Sequence, residues 1–160
     1  MINKVAELNN NLKNIGIETG NVENIKVNDR ATKRMGLCKK FGNGFIIEIS
    51  KFILSDNIKL TNVIYHELLH TVEGCFNHGN KWKMLANKVN RHYNTNINRT
   101  ETINQEMKQE IIKKAKYKVT CQGCGLQFLR QKKSKLITNS NGYLCGKCGG
   151  KLSIDKLKTV

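Results

Sequence analysis

The stretch HELLHTVEGCFNHGNKW, residues 66–82, decides how this chain is read. Upstream of it, Leu60, Val63, Ile64, Leu68 and Val72 recur at helical spacing, which predicts a helix over 58–73. Ser55-Asp56-Asn57 supplies N-cap candidates, and Gly74 stands where a helix-ending glycine belongs. His66 and His70 are four positions apart, about 400° around a helix of 3.6 residues per turn. Both imidazoles therefore leave one face, a turn apart, where together they can hold a single zinc ion. Glu67 follows the first histidine directly. Its carboxylate is expected beside the metal without ligating it, the position of a base that takes a proton from an activated water.

A catalytic zinc needs three protein ligands and one open position. Glu73 shares the helical face, but seven residues of straight helix separate it from His66 by about 10 Å, too far for bonds near 2 Å to one ion. It is read as a solvated last-turn residue. His78 is the better third ligand, because Gly74 ends the helix, Cys75-Phe76-Asn77 turn the chain, and Gly79 permits a tight return. His92 is left over and is read as a surface residue. Cys38 and Cys75 are read as buried, inert thiols.

Outward from this centre, Asn80 opens a second helix with Trp82, Leu85, Ala86 and Val89 as its buried stripe. Residues 2–14 form another short helix, with Val5, Leu8 and Leu12 on one face. Residues 22–27, 34–39 and 44–49 alternate as short strands separated by turn-forming stretches, and an antiparallel sheet is the economical reading. Residues 94–100 read as loop and 101–116 as a charged helix. The chain has 160 residues, enough for one compact domain and a small stapled module but not for two full cores. No window of 18 apolar residues occurs, and the first fourteen residues lack the apolar run of a signal peptide, so cytosol or nucleoid is expected.

After residue 117 glycines and cysteines dominate. Cys121-x-x-Cys124 and Cys145-x-x-Cys148, separated by 20 residues, have the spacing of a four-cysteine zinc site. Glycines at 123, 125, 146 and 149 allow the turns that aim N–H groups at thiolate sulfur. Strands are expected at 126–130 and 135–138, with an Asn141-Gly142 type I′ turn before a third at 143–145. This is a zinc ribbon, whose core is too small to fold without its metal. The formal net charge is +16. From Lys108 onward thirteen Lys or Arg face two acids, a net of +11. Lys113, Lys114 and Lys116, then Arg130, Lys132, Lys133 and Lys135, are the densest runs, interleaved with Phe128 and Tyr143. Such an excess points to nucleic acid rather than an anionic membrane, held through backbone phosphates without base readout.

His66-Glu67-x-x-His70, His78-Gly79-x-x-Trp82 and the basic Cys-x-x-Cys pairs, in that order, resemble the SprT-like metalloproteases, relatives of the Spartan DNA-dependent proteases. The resemblance implies an α+β fold: a zincin-like catalytic domain with a small antiparallel sheet packed on helices, then the ribbon. It implies His66, His70 and His78 as zinc ligands and Glu67 as the general base of a metalloendopeptidase. Substrate would lie along an edge strand, by analogy near Phe45 to Ile49. Tyr93, Arg91 and Tyr65 stay open as stabilisers of the oxyanion. The expected organisation is a catalytic domain over 1–100, a basic helical linker over 101–118, the ribbon over 119–154 and a frayed tail over 155–160. The expected cofactors are two zinc ions, one catalytic and one structural. The expected partners are DNA, bound without sequence preference, and proteins bound or crosslinked to it. The rivals are a non-catalytic nucleic-acid-binding ribbon protein carrying a relic zincin domain, and an ordinary peptidase with a basic surface.

Overall fold

A computed structural model describes residues 1–100, 103 and 105–157. The chain divides into two compact units, Met1–Met107 and the remainder from Lys108. The first holds helices α1 (Ile2–Asn14), α2 (Asn57–Leu69) and α3 (Asn80–Tyr93) with strands β1 (Val22–Asn28), β2 (Gly36–Phe41) and β3 (Gly44–Ser50). Helix α4 (Gln105–Lys113) runs across the division, and its expected start at Glu101 lies outside the described residues.

The three strands form one sheet in the order β1-β3-β2. β2 and β3 are an antiparallel hairpin closed at Gly42, whose φ of +54° suits a tight turn. β1 pairs with β3 in parallel, which corrects the all-antiparallel expectation. The reason lies in residues 29–35, which carry the chain past the end of β3 instead of turning back beside β1. Ser50 holds that crossing: its hydroxyl donates to the Ala31 carbonyl at 2.6 Å and its N–H to the Met35 carbonyl at 2.7 Å. β3 is therefore the central strand, and the substrate placement along Phe45 to Ile49 fails because both its edges are already paired. Among the described residues no further strand pairs with β1 or β2, and on β2 the Cys38 N–H bonds the Glu67 carboxylate.

Apolar side chains of the sheet and of α1, α2 and α3 share one core, with Ile47, Ile49, Leu12, Ile64 and Leu68 fully enclosed. α2 starts as expected, the Asp56 carboxylate accepting from the Lys59 N–H at 2.9 Å. It ends four residues earlier than expected. Both the N–H and the hydroxyl of Thr71 turn to the Leu68 carbonyl, at 3.0 and 2.7 Å, and shift the ladder to i→i−3 bonds. Gly74, at φ +74°, then completes the reversal. α3 is capped by Gly79 rather than Asn80.

The second unit is a three-stranded antiparallel sheet in the order β5-β4-β6, with β4 (Tyr117–Cys121), β5 (Gln127–Arg130) and β6 (Leu152–Lys156). Lys135–Thr138 is a single helical turn, α5, rather than a strand, and Ser140–Gly142 a 3-10 turn rather than a type I′ hairpin. The N–H groups of Thr138 and Asn139 bond back to Ser134 and Lys135, which commits them locally and leaves no ladder for a strand. β6 runs two residues into the stretch expected to fray. No helix among the described residues is long and apolar enough to cross a membrane. Ile47, on the central strand with no exposed surface, anchors the first unit. Ile47→Ala should lower unfolding free energy by about 2–5 kcal/mol, read from the denaturation midpoint.

Candidate metal and active site

α2 and α3, joined by the 70–79 turn, bring three imidazoles together. The Nε2 atoms of His66, His70 and His78 lie 3.2, 3.1 and 2.9 Å from one another. A hydrogen bond needs a donor at each contact, and three mutually close ring nitrogens cannot supply it in neutral imidazoles. A tetrahedral cation with bonds of about 2.0–2.1 Å sets its ligand nitrogens roughly 3.3 Å apart, so the triangle fits zinc. The far nitrogens fix the tautomers. His66 Nδ1 donates to the Asn98 carbonyl and His70 Nδ1 to the Cys75 carbonyl, each at 2.9 Å. Both rings therefore present bare Nε2 lone pairs to the centre.

Burial reinforces this. It pushes the His66 imidazolium down to about 4, with His70 and His78 adding repulsion, and lowers the other two as well. The rings stay neutral, as ligation requires. Trp82 underlies all three, its ring centroid 4.8 Å from that of His66, 5.7 Å from His70 and 4.6 Å from His78. It is 2% exposed. Its Nε1 has no hydrogen-bond partner among the described residues; the indole stacks on His70 and meets His66 and His78 at steep angles.

Glu67 leaves α2 about 100° around from His66, lines the same cavity as that ring, reaches the start of β2 and is 6% exposed. Burial raises its carboxyl to about 8 against the pull of the Cys38 N–H and the Arg34 guanidinium. A dication at the histidine triangle would draw it back down. Its seat depends on Gly36: a Cβ there would lie 2.3 Å from Glu67 Oε1 and 2.7 Å from Cγ. Sequence reading passed over this glycine, although a glycine inside a strand is a signal of close approach.

It also missed Asn90 and Asn98. The Asn90 amide accepts from the Ile97 N–H at 2.7 Å and from the Thr95 hydroxyl at 3.0 Å, and donates to the Ile97 carbonyl at 3.1 Å. That clamp shapes the loop whose next carbonyl, at Asn98, holds His66. Polar loop sequence carried no hint of it.

The remaining assignments divide. Glu73 and His92 are exposed and outside the triangle, as expected. Cys38 and Cys75 are buried, and burial raises both thiols, Cys38 to about 12. Tyr65 and Tyr93 stack at 5.9 Å and both engage Asn11 of α1, while Arg91 Nε donates to the Asn87 carbonyl. These contacts occupy the three oxyanion candidates in packing and surface bonds.

In the second unit the four Sγ atoms of Cys121, Cys124, Cys145 and Cys148 gather within 4.8 Å. Cys121–Cys148 and Cys124–Cys145 are 3.5 and 3.8 Å apart, far beyond a disulfide and close to the roughly 3.8 Å edge of a Zn–S₄ tetrahedron. Two matched knuckles make it. In each, a glycine at φ near +70° follows the second cysteine and donates back to the first one's carbonyl: Gly125 to Cys121 at 3.0 Å, Gly149 to Cys145 at 2.8 Å. The Cys124 and Gly123 N–H groups bring the Cys121 thiol down to about 6. Gly150, unremarked in the sequence, stands where a Cβ would crowd the cluster, 3.0 Å from Cys121 Sγ and 3.2 Å from Cys148 Sγ.

Lys113, Lys114, Lys116, Arg130, Lys132, Lys133 and Lys135 are all exposed. Lys114 pairs with Glu110 at 2.7 Å, and the Arg130 guanidinium lies 4.9 Å over the half-buried Phe128 ring. Tyr143 is exposed.

Helix-borne His66-Glu67-x-x-His70, completed by His78, matches the HExxH motif of zinc proteases and builds a metalloprotease-like active site. The SprT-like family matches residues 3–120, and the chain belongs to that family. The match stops one residue short of Cys121, so the cysteine cluster stands on its own geometry. No curated protein matches the chain. The two clusters are consistent with one catalytic and one structural zinc. Elemental analysis should find two zinc ions per chain, one after His66→Ala with His78→Ala, and one after Cys121→Ser with Cys148→Ser. Gly36→Ala should keep both ions yet cut peptidase activity at least about tenfold, by moving Glu67. Unchanged kcat would show that Glu67 does not need that seat.

Proposed function

We propose that this protein is a zinc-dependent endopeptidase acting on proteins bound or crosslinked to DNA, and that it works in the cytoplasm at the nucleoid. The carrying observation is the triangle of imidazole Nε2 atoms with the Glu67 carboxylate one residue along the same helix. Bound by His66, His70 and His78, zinc would supply Lewis acidity to a water and to the substrate carbonyl. Glu67 takes the water's proton and passes it to the departing amine. The raised proton affinity that burial gives this carboxyl suits a group that must hold a proton briefly near neutral pH. Substrate backbone lies along the open edge of β2, whose first residue, Gly36, touches Glu67.

Zinc at the four cysteines would fix the second unit as a structural ribbon. Its exposed Lys and Arg side chains give it the excess of positive charge that DNA backbone binding needs. Lys113, Lys114, Lys116, Arg130, Lys132, Lys133 and Lys135 carry that contact in this reading.

The test is cleavage of a DNA-binding protein with and without DNA. Wild type should cleave only when DNA is present, and Glu67→Gln should lose cleavage while keeping two zinc ions and its DNA affinity. DNA binding should weaken steeply with salt, and replacing Lys132, Lys133 and Lys135 by Ala should flatten the slope. Equal cleavage by Glu67→Gln removes the base from its role; cleavage indifferent to DNA leaves an ordinary peptidase.

A further inference from the structure

The histidine triangle has a cavity at each end, and the two differ in chemistry. One, of about 180 Å³, is lined by Lys33, Arg34, Arg99, His66 and Glu67. The other, of about 400 Å³, reaches His70 and is lined by Phe45 and Phe76. Phe76 sits between two ligand histidines in sequence, yet 52% of it is exposed. Its ring lies 6.4 Å from that of Phe45, with the Lys40 ammonium 5.5 Å from its centroid. An exposed Phe76 packed on a half-buried Phe45 beside a metal site is apolar surface waiting for cover.

Two elements place these cavities in line. Along α2 the first meets Val63, His66 and Glu67, and the second His70 and the turn after it. Along β2 the first meets Gly36 and the second Lys40. Four strand steps from Gly36 to Lys40 cover about 13 Å, the reach of about four extended residues. A peptide lying along that edge would set side chains four positions apart, one on each side of the scissile bond, into the two cavities. Resting on the peptidase reading, we infer that this cleft selects its scissile bond by opposite chemistry: an Asp or Glu side chain at the Lys33–Arg34–Arg99 end, and an aromatic or large aliphatic one at the Phe45–Phe76 end. The basic cavity has the volume of one side chain, and its floor is the catalytic helix itself. A DNA phosphate, carried on a wide backbone, fits it less well. The aromatic end carries Glu18 and Glu73 as well as Lys40, so charge gives it no sign preference.

The test uses the zinc-loaded full chain with quenched peptides that carry Asp or Ala and Phe or Ala four positions apart, one on each side of a central bond, in both orders. One Asp/Phe order should exceed the Ala/Ala peptide at least about tenfold in kcat/KM, with the bond located by mass spectrometry. Phe76→Ala should abolish the Phe preference, and Arg99→Glu should turn the Asp preference into one for Lys. The same ranking should appear in Kd for peptides bound to the Glu67→Gln chain. Ranked binding without wild-type cleavage would sink the peptidase reading and leave this inference standing. Equal kcat/KM and equal Kd across the peptides would overturn the inference alone. So would an Arg99→Glu chain that loses DNA affinity but keeps its preference for Asp, because the basic end would then serve phosphate.

Discussion

Three imidazole Nε2 atoms will not sit about 3 Å apart of their own accord, because three neutral rings cannot supply a donor at every contact. The fold imposes that closeness. Two backbone carbonyls, of Asn98 and Cys75, take the ring protons on the far side and so dictate which nitrogen stays bare. A single indole supports all three rings from beneath. A cation at their centre would turn that closeness into ligation, and the first unit can hold one ion there with an open side. The rest of that unit serves this end: α2 carries two ligands, the shortened end of α2 releases the chain in time to return the third, and Asn90 shapes the loop behind the first.

The same economy governs the base. Glu67 cannot share the ligand face, since it follows His66 by one residue and lies about 100° around the helix. It is buried against β2 instead, where a missing side chain at Gly36 makes the space. Sheet and helix thus meet at a carboxylate as well as across their shared apolar core. This contact also aligns the open edge of β2 with the catalytic helix, and the cleft follows from it.

Much of this was legible in the residues. Periodicity located α1, α2 and α3, and the i, i+4 histidines with their glycine-ended turn identified all three candidate ligands. The paired Cys-x-x-Cys units identified the second cluster. What the sequence hid was long-range. Nothing local distinguishes a strand that turns back from one that crosses to the far side, so the parallel β1–β3 pairing and the central place of β3 went unread. Lys135–Thr138 has the composition of a strand, yet its N–H groups found carbonyls within one turn first. Backbone carbonyls such as that of Asn98 have no sequence signature at all, because every residue has one.

Met107 has no exposed surface and packs, with Ile103 beside it, into the core of the first unit. The catalytic motifs end with His78 and the first turn of α3, and composition puts a seam near residue 100. Cut there, the first unit would lose the plug that seals its own interior. The excisable protease is therefore longer than its chemistry, and shuffling the two units in evolution or in the laboratory requires carrying the opening turn of α4 along with the catalytic half.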